Sequence, residues 1–189
     1  HLVIGRRQLA AGDAEGALAT FRKGQVLPQS LGAGIWNHCK LVPLKYFEAI
    51  CLEKCGDKAA ADELFRYIAT IGIEYFSNMH LKELPYYQAR AWQHLGEELK
   101  AQRLMTVYRR EWKNIDKVKD NGFFGTTPFF ISFTDNPQKL RRAQHCYLNA
   151  LVCDFMGEKE KAQAYLSESI ALQSENLPAL TFIVQGFLV

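Results

Sequence analysis

No run of eighteen apolar residues occurs in the sequence, so no segment reads as a membrane-spanning helix. No secretory leader is visible. The phosphate-cradling glycine loop, the His-Glu-x-x-His helix and the Gly-x-Ser-x-Gly turn are all missing. Each is a local signature of nucleotide, metal or acyl-transfer chemistry. His38, His80, His94 and His145 are scattered and read as packing or solvent-facing side chains. Paired carboxylates such as Glu97–Glu98 fall at expected helix starts, where the helix dipole already accounts for them. No catalytic residue, metal site or cofactor is therefore expected. Excess charge is also scarce, at a net +3 from 23 basic and 20 acidic residues, whereas a nucleic-acid footprint needs a lopsided stripe. The densest basic stretch holds Arg103, Arg109, Arg110, Lys113, Lys117 and Lys119, with Glu111, Asp116 and Asp120 set among them. No aromatic series alternates with those charges as a strand-binding surface requires, so it reads as a solvated helix face. No nucleic acid and no membrane is expected as a partner.

Cysteine is sparse and odd in number: Cys39, Cys51, Cys55, Cys146 and Cys153. The scatter argues against a disulfide framework and fits a reducing, cytoplasmic compartment. Cys51 and Cys55 share a helix face, as do Cys146 and Cys153. A zinc site would need four ligands in tighter pairs, so these thiols read as small buried hydrophobes.

What the sequence does have is a recurrence. Gly-[Asp/Glu]-x-x-x-Ala occurs at Gly12–Ala17, Gly56–Ala61, Gly96–Ala101 and Gly157–Ala162. Seven residues before each glycine stands a small residue: Gly5, Ala49, Ala89 and Ala150. Nine residues after it stands a bulky apolar one: Phe21, Phe65, Met105 and Leu166. Glycine accepts the left-handed conformation that ends a helix, and the following acid faces the positive end of the next helix. Each unit is therefore expected to be a helix, a tight turn and a second helix, crossing closely at the small residues. A leucine at Ala49 or Ala101 would overpack that crossing, at about 1–3 kcal/mol. Neither helix can bury its apolar face alone, so units must stack.

These offsets resemble the tetratricopeptide repeat, a helical hairpin with small and aromatic residues at such positions. The glycines lie 44, 40 and 61 residues apart, against about 34 for that repeat, so the helices are longer or segments are inserted. The resemblance implies an all-α, single-domain helical-hairpin solenoid of about four antiparallel helix pairs plus a C-terminal capping helix. Its units are expected at about 1–27, 42–72, 84–118 and 138–173, with the cap at about 178–187. The chain opens inside a helical pattern at His1, as expected of a piece of a longer protein. Residues 27–34 and 72–81, broken by glycine or proline, read as connectors. In the insertion 121–133, Phe123, Phe124, Phe129, Phe130 and Phe133 cannot all stay in water without a large apolar patch. They either plug the gap between units three and four or dock on a missing domain or partner. Leu177, Leu180, Phe182, Ile183 and Phe187 suit the cap.

Such hairpins offer their first helices to a concave groove, an implication of the same resemblance. Tyr46, Tyr86 and Tyr147 stand ten residues before their glycines. They could form a ligand-facing ladder, since tyrosine offers a large face and a polar tip, or they could pack against the neighbouring hairpin. Glu53, Lys54, Arg90, Gln93, His94 and Asp154 are expected on the same surface. The lysine and asparagine pattern of carboxylate-clamp repeats is not matched at these positions, or at Ile50, Arg90 and Leu151, so a chaperone-tail adaptor is not expected.

Residues 27–34, Leu-Pro-Gln-Ser-Leu-Gly-Ala-Gly, and 129–133, Phe-Phe-Ile-Ser-Phe, are similar to the C-terminal helical region of a family of large, mostly bacterial proteins. That family carries an N-terminal domain of unknown function related to carbohydrate-active proteins, and any catalytic residues would then lie upstream. Two functions follow. One is a non-catalytic interaction or scaffold module that docks a protein or peptide, including upstream domains of its own chain. The other is an accessory helical domain of a carbohydrate-active enzyme, forming part of a sugar site.

Overall fold

The computed structural model describes residues 1–26, 41–72, 82–113 and 137–187. Among them no strand occurs, and the elements are α-helices: α1 (Leu2–Ala10), α2 (Ala14–Gly24), α3 (Val42–Lys54), α4 (Lys58–Thr70), α5 (Leu84–His94), α6 (Glu98–Lys113), α7 (Pro137–Phe155), α8 (Lys159–Leu172) and α9 (Leu177–Gln185). The all-helical expectation holds over these residues. The connector 27–34, residues 73–81 of the second, the end of unit three beyond Lys113 and the phenylalanine-rich segment 121–133 lie outside the described residues, as do His38, Cys39 and His80.

The recurring glycines close the first helix of each pair. Gly12, Gly56, Gly96 and Gly157 all take positive φ, at 87°, 87°, 74° and 78°, a region that other residues enter with strain. The acid after each glycine donates its backbone N–H five residues back, as Asp13 does to Gln8 (3.0 Å) and Glu158 to Cys153 (2.8 Å). That bond satisfies a carbonyl otherwise left open at a helix end. The side chains of these acids then diverge by length. The Asp13 carboxylate accepts from Gly16 N–H at 2.8 Å, and that of Asp57 from Ala60 N–H at 3.1 Å, so both cap the following helix. Glu158, one methylene longer, makes no such cap. It pairs instead with Lys161 at 2.8 Å and Arg109 at 3.1 Å. The Lys161 hydrogen bond, helped by Arg109, holds its carboxyl below the ordinary range.

The small residues are where helices meet. Gly5, Ala49, Ala89 and Ala150 are buried, and so are Ala17, Ala61, Ala101 and Ala162. A Cβ added at Gly5 would stand 2.5 Å from the Phe21 ring, so the first pair admits nothing larger than hydrogen there without moving the aromatic. Phe21, Phe65, Met105 and Leu166 fill the adjoining space and are fully buried.

The chain divides into two compact units, His1–Met105 and Thr106–Phe187. In the first, α1 packs on α2, α2 on α3, α3 on α4 and α4 on α5, while α1 also meets α3 and α3 meets α5. Lys100 of α6 lies 4.5 Å from the centre of the Trp92 ring of α5, and Gln93 donates to Glu98 across the same turn. In the second unit α7 packs on α8 and α8 on α9. Asn176 caps α9 by accepting from Ala179 N–H at 3.3 Å, and its amide donates to the Ser169 hydroxyl of α8 at 3.0 Å. That hydroxyl in turn donates to the Ala143 carbonyl of α7 at 2.8 Å. Phe182 carries the packing of α9, 6.0 Å from Tyr147 by ring centre. Leu177, expected to help with that covering, points outward instead, because it lies at the first turn beside the cap.

Candidate functional site

The tyrosines expected to form a ladder are interior. Tyr46, Tyr86 and Tyr147 are 0%, 0% and 1% exposed. Each stands three residues before a notch alanine, Ala49, Ala89 or Ala150, and residues three apart lie on one helix face. The face that meets the partner helix therefore also takes the tyrosine. Tyr46 is edged by Phe47, Phe65 and Tyr87 at ring-centre distances of 5.6, 5.8 and 5.6 Å. Tyr86 lies 6.3 Å from Tyr87 and has the Arg90 guanidinium at 5.4 Å. None of the three rings opens a face to a ligand, and the packing alternative describes them.

Three of the expected surface residues do converge, but inward. His94, at the end of α5, places Nδ1 3.2 Å from a Glu53 carboxylate oxygen and Nε2 3.2 Å from the Tyr46 hydroxyl. Glu53 and Tyr46 lie seven residues apart on α3, two turns along one face. The Phe65 ring of α4 stacks under the imidazole at 4.3 Å and an interplanar angle of 4°. With a carboxylate facing Nδ1, that nitrogen is assigned the proton, and Nε2 accepts from the tyrosine O–H. The His94 and Glu53 side chains keep 19% and 31% of their surface in solvent.

A carboxylate, an imidazole and a hydroxyl in sequence is also the order of a nucleophile with its base and orienter. Here the hydroxyl is a fully buried phenol, out of reach of any reacting atom. The chain of groups joins α3 to α5.

Of the other expected residues, Arg90 donates to the Gln93 side-chain oxygen at 3.0 Å, and Gln93 passes the line on to Glu98 at 3.2 Å. Lys54 is exposed at the end of α3. Asp154 is half-buried on α7, in the second unit. Phe123, Phe124, Phe129, Phe130 and Phe133 lie outside the described residues.

Sequence reasoning missed several buried polar residues. Glu48 accepts from Arg22 Nε at 2.8 Å and from the Gln25 amide at 2.6 Å, fastening α3 to α2. The buried Arg6 guanidinium lies 4.8 Å over the Phe47 ring. Burial, with the Glu83 carboxylate nearby, pushes the Tyr87 hydroxyl far above its ordinary value, and Arg6 draws it the other way. The repeat offsets do not mark these positions as interior, since Ile4, which adjoins the same notch Gly5 as Arg6 does, is exposed.

Glu83 keeps part of its surface exposed, yet its carboxyl lies among protein atoms, and that burial raises it above the ordinary carboxyl range. A backbone hydrogen bond and Lys82 oppose the rise. The folded chain thus holds this proton more tightly than the unfolded chain, and the ionised side chain weakens the fold at neutral pH. The penalty shrinks as pH falls through the raised folded value and is gone below the unfolded value of about 4.3. Glu83→Gln is expected to raise the melting temperature at pH 7, by about 2–4 °C for each kcal/mol recovered in a chain of this size. The advantage should vanish near pH 4, within the range of about 4.3 set by the unfolded carboxyl. Identical melting temperatures for the two proteins at pH 7 would contradict the reading.

Burial disfavours the thiolate at two of the described cysteines. Burial, with Cys55 and Glu48 adding to it, pushes Cys51 up to about 11, and burial also raises Cys153. Cys51, Cys146 and Cys153 are buried, while Cys55 is exposed. In a Cys39→Ser background, a chromogenic disulfide should label Cys55 quickly in the native protein and the other three only on unfolding. A second fast-reacting thiol would refute this placement. Among the described residues, no three histidine, cysteine or acidic side chains gather as metal ligands, and no helix is long and apolar enough to cross a membrane.

Compared with known proteins, the chain matches no family model, no curated protein and no solved structure.

Proposed function

We propose that the chain is a non-catalytic interaction or scaffold module built of tetratricopeptide-like hairpins. It docks a protein or peptide, upstream domains of its own chain included. The observation that carries this reading is the recurrence in space of what recurs in sequence. Four glycines take the same left-handed turn, and the small residues at fixed offsets from them are buried. Hairpins repeated in this way bury one face against their neighbours and leave the other as an extended surface, which is how repeat proteins bind.

The carbohydrate alternative needs open aromatic faces. Among the described residues Tyr46, Tyr86, Tyr147 and Trp112 are buried, Lys100 lies over Trp92, and the exposed Tyr67 ring has Lys45 5.3 Å from its centre, which favours the protein-docking reading. The test places a photo-reactive amino acid at Lys54, and separately at Phe129, in the full chain. Cross-links from either position to a defined protein segment, repeated with the purified pair, are the expected result. A full chain that cross-links to no protein and binds a glycan on an array would overturn the proposal in favour of the alternative.

A further inference from the structure

We draw no further inference here: the strongest candidate, the uncharged surface of α9 on which Leu177 and Val184 stand exposed, carries nothing because nothing in the structure shows what covers it.

Discussion

Truncating Phe65 to alanine is expected to destabilise the His1–Met105 unit by about 3–5 kcal/mol, the range for removing a buried aromatic ring. Phe65 is fully buried on α4. Its ring stacks on His94 of α5 and stands edge-on to Tyr46 of α3 at 5.8 Å. One side chain thus fills the space among three helices. Phe65→Leu keeps most of the volume and loses the stacking, so it should cost less, about 1.5 kcal/mol or under. Denaturant unfolding gives both values, and hydrogen exchange should show amides of α3 and α5 losing protection along with those of α4. A loss below about 1 kcal/mol for the alanine variant would mean that the neighbouring helices collapse freely onto the space, and the description of Phe65 as the common filler would fail.

Phe65 was legible in the sequence because its role depends on distance along the chain alone. A glycine turn, a small residue seven before it and a bulky one nine after it occupy fixed places on two regular helices. Burial follows at Gly5, Ala49, Ala89 and Ala150 as at Phe21, Phe65, Met105 and Leu166. The tyrosines were legible in the same way, since three residues before a notch means the notch's own face, but a shared offset also fits a surface ladder. Partnerships across hairpins were not legible. Arg22 meets Glu48 from 26 residues away and Tyr46 meets His94 from 48, and both depend on how far one helix slides along another. No local pattern records that slide. The acids after the glycines show a third limit. A repeat read as Asp or Glu treats the two as equal, yet Asp13 and Asp57 cap their helices while Glu158 reaches out to Lys161 and Arg109. One methylene separates a cap from an ion pair.

Replacing His94 by alanine is expected to cost about 2–4 kcal/mol, from two hydrogen bonds worth about 1 kcal/mol each and a stacked ring pair worth about 0.5–1.5. The more telling measurement is a pair of double-mutant cycles, one with Glu53→Gln and one with Tyr46→Phe. Both partners of His94 lie on α3, so each cycle measures coupling between α3 and α5 and not within either helix. Coupling of about 0.5–3 kcal/mol is expected in each. The Tyr46 cycle should be the less sensitive to salt, because the phenol is uncharged and fully buried. The Glu53 cycle should weaken as salt rises, since that carboxylate keeps 31% of its surface in water. Purely additive energies in both cycles would show that neither hydrogen bond couples α3 to α5, and the edge-on contacts of Tyr46 with His94 and Tyr87 would then carry the link.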